Sequence, residues 1–551
     1  MTEGLPLDQF YRWERERSGR TFLTQPFGGG KLREWTWAQA AYEVRRVAGY
    51  LKAQGWEPGS RVAILSRNCA WWMMADLAIW MAGHVTVPVY PSLRSQTIRQ
   101  ILEHSDAKLC FVGATDEPDA AVAGMPPGVA SIHFPTDWDT LVAKSAPIEG
   151  NPTRAGDELA TIFYTSGTTG APKGVMHRFS AFTFCADTLR ERLSLAGEER
   201  ILSYLPLAHI LERAGDAVPA VLGGWHVFFT EGPETFLADL RRARPTLFLS
   251  VPRLLLKFQQ GVFEKIPRRM LDRLLRIPLL GRLVGKKVLR GLGLDGTHFA
   301  ACGSAPLSLD VLTWYRKLGL NLIEGYGLTE ALITHLTKPG KVRLGTVGSA
   351  LAGVEDRRAA NGELQIKSPM NMIGYYKDPR GTEDAFTADG FLRTGDLVAI
   401  EADGVVRIVG RIKEQFKTSK GKYVAPAPIE MKLAAHPDVE SCCLMGAGQA
   451  SPFAVVVLSA EARERPRPAV AEALAQLLDS VNAQLEHHER LAFIVVGEEP
   501  WTIGNGLLTP TLKLKRGSLE QRYLARVEAW KRDGQRVLWE AEQVATPGFG
   551  N

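Results

Sequence analysis

Apolar positions between residues 35 and 54 recur at helical spacing. The run Arg-Val-Ala-Ile-Leu at 61–65 then follows the Pro58-Gly59 turn as a short, unbroken apolar stretch. The first pattern predicts an amphipathic helix with one buried stripe. The second predicts a strand buried on both faces, as strands of parallel sheets are. Helix and strand patterns alternate up to Leu-Cys-Phe-Val at 109–112. That alternation predicts α/β layering around a largely parallel sheet. The most apolar stretch, 70–90, is interrupted by Asp76, His84 and Pro88. Its first half is a Trp/Met/Ala/Leu run and its second is β-branched. It reads as a buried helix followed by a buried strand, not as a membrane span.

Gly156, Asp157 and Glu158 precede another strand pattern at 159–164. A loop rich in glycine and hydroxyl residues follows, and Ser180 is the expected cap of the next helix. The α/β pattern continues to about residue 345 and changes after residue 360. The run 362–367 reads as a strand, and 398–400 and 405–409 flank Asp403-Gly404, a hairpin signal. This region reads as antiparallel. Beyond residue 412 come a helical pattern at 429–435, strand patterns at 455–458 and 493–496, and a Pro/Arg/Glu-rich loop at 461–468. With 551 residues the chain exceeds one ordinary core. The expected division is a large domain over 1–411 and a smaller α+β domain over 412–551. No internal repeat is evident.

Composition narrows the class. Apolar residues make up 45% and charged residues 23%, as in soluble globular proteins. The net charge of +6 suits a protein that handles polyanions, and suits an anionic membrane surface equally. No RNA- or DNA-binding motif accompanies it, so nucleic acid is not an expected partner. Six cysteines lie at 69, 110, 185, 302, 442 and 443 without any CxxC pair. They read as buried thiols of a reducing compartment. The N-terminal Met-Thr-Glu-Gly-Leu-Pro lacks the basic and apolar parts of a signal peptide, which points to the cytoplasm. Residues 265–293 are rich in Arg and Lys among leucines, with Asp272 the only acid. They read either as amphipathic helices at a membrane interface or as a solvated cationic face over a core. Pro278, Gly281 and Gly285 argue against one continuous helix there.

The candidate chemistry begins in the run Thr165-Ser-Gly-Thr-Thr-Gly-Ala-Pro-Lys-Gly-Val175. It holds three glycines and four hydroxyls in eleven residues. Glycines let the backbone approach a ligand closely, and successive N–H groups can cradle a phosphate. Thr165, Ser166, Gly167, Thr168, Thr169 and Gly170 are the candidate phosphate contacts, with Lys173 as the cation. The run is not a Walker A loop, because Lys173 follows Ala-Pro and precedes Gly.

This run resembles the signature of the adenylate-forming superfamily, which includes acyl-CoA synthetases, peptide-synthetase adenylation domains and luciferases. Further stretches resemble that family's motifs in the same order. They are Leu205-Pro-Leu-Ala-His-Ile210, Cys302-Gly-Ser-Ala-Pro306, Glu324-Gly-Tyr-Gly-Leu-Thr-Glu330, Arg393-Thr-Gly-Asp-Leu397, Val409-Gly-Arg-Ile-Lys413 and Leu508-Thr-Pro-Thr-Leu-Lys-Leu-Lys-Arg516. The resemblance implies a large domain of parallel-sheet α/β subdomains plus a distorted antiparallel β-barrel, followed by a small mobile α+β domain. It implies ATP, Mg²⁺ and coenzyme A as ligands, and a reaction in which a carboxylate becomes an acyl-AMP and then a thioester.

The resemblance also implies roles. Tyr326 stacks on adenine, in a pocket formed with Gly325, Gly327 and Gly303, Ser304, Ala305 and Pro306. Thr329 contacts the α-phosphate, and Glu330 with Thr165 holds Mg²⁺. Asp396 accepts from the ribose hydroxyls with Arg411 assisting, and Lys413 is the pivot between domains. Lys513 reaches the carboxylate and α-phosphate, with Lys515 as the rival two residues on. His209 belongs to the acid pocket, unless it is a satisfied core histidine. Three segments, 205–213, 416–426 and 507–516, resemble the long-chain and bubblegum-type synthetases. Some of those relatives place an aromatic gate where this chain has Arg213, so the gate is not carried over. The other readings are transfer of the acyl group to a carrier-protein thiol, and a silent acyl-nucleotide-binding protein.

Overall fold

The computed structural model describes residues 4–166, 172–195, 197–305, 307–509 and 513–540. The chain divides into two compact units. The first comprises Met1–Arg357, Gln365–Thr394 and Glu401–Val406, and the second Arg358–Leu364, Gly395–Ile400 and Arg407–Asn551.

In the first unit the expected alternation is present. The helix Trp37–Ala53 buries Ala40, Ala41, Val44, Val47, Ala48 and Leu51. Thr36 caps it, accepting from the N–H of Gln39. The strands Arg61–Leu65, Val85–Val89 and Leu109–Val112 pair in parallel, and Ala130–His133 extends them. Every residue of the helix Ala70–Met81 and of the strand Val85–Val89 is buried. Among the described residues no helix is long and apolar enough to cross a membrane.

The strand Leu159–Ser166 joins this sheet in parallel beside Val85–Val89. The chain then returns in the antiparallel strand Pro172–Arg178. The glycine-rich run thus enters on one strand at Thr165 and Ser166 and leaves on the other from Pro172, with 167–171 outside the described residues. A Walker A loop, by contrast, leads directly into a helix. Ser180 does not cap the next helix. That helix starts at Phe179 after Arg178, and Ser180 lies in its first turn with its N–H bonded to the Gly156 carbonyl. The return strand leaves no room for a separate cap.

A second sheet supplies the other half of the site. The strands Leu247–Ser250, Phe299–Cys302 and Leu322–Leu328 are parallel neighbours. The last of them turns back into Leu332–Leu336, which pairs antiparallel with Gly348–Ala350. The C-terminal ends of the three parallel strands thus meet at one edge, where open α/β sheets bind ligands.

The second unit is built on the sheet of Val439–Met445, Phe453–Leu458, Ile494–Val496 and Val537–Trp539. The helices Pro426–Ala434 and Arg467–Asn482 cover one face, and Arg516–Tyr523 and Val527–Asp533 the other. Cys442 and Cys443 belong to opposite cores because successive strand residues point to opposite faces. All six cysteines are free thiols. The segment expected as a loop at 461–468 is mostly helical. Ser459 caps the short helix Ala460–Glu464, and Pro468 sits in the first turn of Arg467–Asn482, where proline costs no hydrogen bond.

Candidate functional site

In the first unit, Thr165 and Lys173 are direct partners across the hairpin, as are Ser166 and Pro172. Paired residues project to one face, so a hydroxyl and an ammonium flank the mouth of the loop. Gly167, Thr168, Thr169 and Gly170 lie outside the described residues. The Lys173 Nζ is 3.3 Å from the Asp378 Oδ2 and 4.8 Å from the centre of the Tyr375 ring. Both members of the ion pair are more than one-third exposed, at 36% and 39%. Such a pair contributes at most about 1 kcal/mol, so Lys173 is free to exchange its partner for a polyphosphate.

Tyr375 connects this cation to the hairpin at 322–336. Its hydroxyl donates to the Glu330 Oε1 at 2.9 Å. Burial raises the phenol's pKa, and the Glu330 carboxylate raises it further, so the tyrosine stays a donor. Glu330 is held from the backbone as well, because its carbonyl accepts from the N–H of Met372. The neighbouring Thr329 carbonyl accepts from the His177 Nε2 at 2.6 Å. Burial lowers the His177 pKa to about 4, so the ring is neutral and donates through Nε2. Lys173, Tyr375, Glu330, Thr329 and His177 thus form a run of contacts from the loop's return strand to the turn of the second sheet.

Sequence reading missed Tyr375, Asp378 and His177. Asp378 carried a signal. Its side chain accepts from the N–H of Gly381 and caps the helix Pro379–Ala385, and Asp-Pro is a helix start that sequence can reveal. The backbone N–H of Gly381 and then the Lys173 ammonium hold its carboxyl below the ordinary range. Nothing local marks Tyr375 or His177.

The glycines of 324–330 have packing reasons. A Cβ on Gly327 would lie 2.1 Å from the Leu332 carbonyl oxygen, and one on Gly325 would lie 2.9 Å from the Leu336 side chain. The tight hairpin demands glycine at 327, where the clash is with backbone, whereas at 325 the Leu336 methyl would have to give way. Gly303 differs. A Cβ there would meet nothing closer than 3.6 Å, and its φ is not in the left-handed region. Among the described residues no packing need requires glycine at 303, and its lack of a Cβ leaves the backbone there open to close approach. Ser304 follows with φ 69, a conformation uncommon outside glycine, and Ala305 is exposed beside it. Pro306 lies outside the described residues. Tyr326 is half-buried with its ring edge-on to His335, 5.7 Å away.

His209 caps the short helix Ile210–Glu212, its Nδ1 accepting from the Leu211 N–H at 3.2 Å. Nδ1 as acceptor leaves Nε2 to carry the proton of the neutral ring. The adjoining Leu211 lies against Gly303, so the His209 segment and the 302–306 turn share one locality. Arg213 is no gate residue. It is fully buried, bonded through Nη2 to both oxygens of Asp76 at 2.7 Å, and faces the rings of Trp72 and Trp80.

In the second unit, Asp396 is buried and its Oδ1 accepts from the Arg411 Nε at 2.7 Å. Arg411 ends the strand Val405–Arg411, and Lys413 is exposed in the following turn, Ile412–Glu414. Lys513 is exposed, and its backbone bonds twice to Thr509. The N–H of Lys515 bonds to the Leu507 carbonyl. Arg516 anchors this segment through two bonds of 2.9 Å to Glu430, and also approaches Glu414.

This assembly of loop, hairpin and strand ends is that of an adenylate-forming enzyme. The chain belongs to the AMP-binding enzyme family, whose model matches residues 10–376, and the AMP-binding enzyme C-terminal domain matches residues 413–530. It is 29% identical to the long-chain-fatty-acid–CoA ligase FadD15 of Mycobacterium bovis over 94% of this chain and 96% of that protein. It is also 29% identical to the human long-chain-fatty-acid–CoA ligase 1, over 90% and 82%. Its fold matches the A-PCP didomain of the carboxylic acid reductase from Segniliparus rugosus in complex with AMP, with TM-score 0.81, 21% identity, and 97% and 83% of the two chains covered. It also matches the anthranilate CoA ligase AuaEII in complex with anthranoyl-AMP, with TM-score 0.79, 20% identity, and 96% and 99% covered.

Proposed function

We propose that this chain is an ATP-dependent acid–thiol ligase that converts a long-chain fatty acid to its acyl-CoA through an acyl-AMP. In the first half-reaction a carboxylate oxygen attacks the α-phosphorus of ATP, the new O–P bond forms, and pyrophosphate leaves. In the second, the thiolate of coenzyme A attacks the acyl carbonyl, the C–S bond forms, and AMP leaves. Phosphoryl transfer of this kind depends mainly on positioning and on charge neutralisation. The observation that carries the reading is the contact run from Lys173 through Tyr375 to Glu330. It brings a hydroxyl, an ammonium and a carboxylate from distant motifs to one place.

Thr165, Ser166, Thr168, Thr169 and Lys173 hold the β- and γ-phosphates, with Gly167 and Gly170 allowing the backbone close. Gly303 to Pro306 and Gly325 to Gly327 bound the adenine site, with Tyr326 as its aromatic wall. Thr329 contacts the α-phosphate. Asp396, oriented by Arg411, accepts from the ribose hydroxyls. His209 lines the acid pocket, and Lys513 serves the carboxylate and α-phosphate. Glu330 suits a hard divalent cation, since Tyr375 engages Oε1 and Oε2 accepts no bond among the described residues. Mg²⁺ held there with Thr165 would neutralise triphosphate charge. The domain boundary falls at 411/412, with Lys413 as the pivot on which the small domain turns between half-reactions. The setting is cytoplasmic, with weak peripheral contact of 265–293 to the inner face of a membrane.

Pyrophosphate release over acids from acetate to stearate and aryl acids, with and without coenzyme A, tests this. Release should peak with long-chain acids, and acyl-CoA should accumulate only with coenzyme A. Release without acyl-CoA would redirect the acyl group to another thiol. No release with any acid would leave a binding protein.

A further inference from the structure

Residues 252–292 form three helices, Pro252–Lys265, Arg268–Leu275 and Leu280–Leu292. The break at Pro278 falls where the sequence requires it. Gly281 and Gly285 press the last helix down. A Cβ on either would lie 2.5 Å from a backbone carbonyl, of Leu275 and Leu318 respectively. Val288, Leu289 and Leu292 are buried along the same stripe, which turns Arg282, Leu283, Lys286, Lys287 and Arg290 to solvent.

The outward face does not resemble an ordinary solvated one. Among the described residues fourteen large apolar side chains are exposed, and five of them lie within 270–283: Met270, Ile277, Leu279, Leu280 and Leu283. Leu279 is 74% exposed and Leu283 68%. Leu279 also holds a φ of 65, a region β-carbon residues avoid, at the tip of the turn between helices. Six exposed cations surround this apolar tip: Arg269, Arg273, Arg276, Arg282, Lys286 and Lys287. Among the described residues no carboxylate pairs with any of them, and Asp272 approaches only Arg268, at 3.9 Å. A cleft of about 370 Å³ opens at the tip, floored by Leu275 and Leu318 and rimmed by Arg276, Arg282 and Lys317.

We infer that this face docks on an anionic phospholipid bilayer, with Ile277, Leu279, Leu280 and Leu283 entering the acyl boundary and the cleft receiving a lipid phosphate. Apolar tip, cations without a carboxylate partner among the described residues and a cleft rimmed by cations together match a bilayer surface, which presents hydrocarbon beneath negative charge. A solvated face needs no leucine tip, and a polyanion such as RNA offers nothing for one. The inference deepens the fatty-acid reading in one respect: it lets the ligase take its acid from the leaflet that holds it.

Sedimentation with phosphatidylcholine vesicles, with and without phosphatidylglycerol, tests the docking. The wild type should co-sediment with the anionic vesicles and release as salt rises. Arg276→Glu with Arg282→Glu should weaken partitioning by roughly 30-fold or more, from about fivefold per surface cation. Leu283→Ser, on an exposed helix face where folding is not at stake, should also weaken it, as should Leu279→Asn. Turnover of a water-soluble medium-chain acid should be unchanged in all of them, whereas turnover of oleate presented in anionic vesicles should fall. Equal recovery on both vesicle types, or anionic binding indifferent to the leucines, overturns the inference. A concentration-dependent dimer without vesicles that Leu283→Ser abolishes also overturns it, since a second copy would then cover the face. Vesicle binding with no turnover of any acid would instead refute the ligase reading alone.

Discussion

Glu324 stands at the start of the motif that carries Tyr326 and Glu330, and it is buried with its Oε2 lacking a hydrogen-bond partner. Burial raises its pKa to about 7, although N–H groups of Leu307 and Gly345 partly offset this. The folded chain keeps the Glu324 proton up to about pH 7, whereas the unfolded chain loses it near the ordinary value of 4.5. Between those values the folded state binds more protons, so this group's contribution to stability falls as pH rises, and is level above the window. Glu324→Gln removes the effect. In urea unfolding, the variant should gain on the wild type by on the order of 3 kcal/mol between pH 4.5 and pH 8. A difference that stays constant across that range would show that Glu324 ionises normally. Arg213 gives the opposite lesson about burial. Its bidentate pair with Asp76 is enclosed among Trp72, Trp80 and Phe163, so a position the resemblance left open is core structure.

At the scale of elements, the hairpin joining Leu322–Leu328 to Leu332–Leu336 decides which glycines are structural. Gly327→Ala drives a methyl group into the Leu332 carbonyl, so it should destabilise the protein by about 1–3 kcal/mol or more, in the range of overpacked sites. Gly303→Ala meets only ordinary contacts, so stability should stay within about 0.5 kcal/mol of the wild type. Its cost should appear in nucleotide affinity. Calorimetric titration of ATP into Gly303→Ala checks this, and wild-type affinity would remove Gly303 from the site. These elements also show what the sequence could and could not disclose. Strands 61–65, 85–89 and 109–112 were legible because both-face burial leaves an unbroken apolar run. The helix starting at Phe179 was misread by a residue or two because serine is a common cap, and the return strand that forecloses this is a tertiary fact. The motifs named Lys173 and Glu330. Their connection through Tyr375 depends on the short strand Gly374–Tyr375 pairing with the strand of Lys173 across about two hundred residues of chain (Asp378, beside it, lies 205 residues from Lys173), which no local pattern records.

Across the whole molecule, the proposed chemistry draws on residues of two units. The first unit carries Lys173, Glu330 and the glycine turns, and the second carries Asp396, Arg411 and Lys513. Within the second unit the Lys513 side chain is exposed, and Arg516 fixes the segment against Glu430 on the helix Pro426–Ala434. Removing the Lys513 ammonium should therefore leave the fold intact. In the first half-reaction negative charge moves between the carboxylate and the α-phosphate, and a positioned cation stabilises it. Loss of such a contact slows a step by about 10²-fold or more. Thioester formation from preformed acyl-AMP involves no attack at phosphorus. Lys513→Ala should thus slow acyl-AMP formation, read by pyrophosphate release, while acyl-CoA formation from supplied acyl-AMP largely survives. Lys515→Ala, two residues on, should slow neither. Equal loss in both half-reactions would refute a role confined to adenylation. A loss that follows Lys515 and spares Lys513 would move the catalytic ammonium two residues along the same segment.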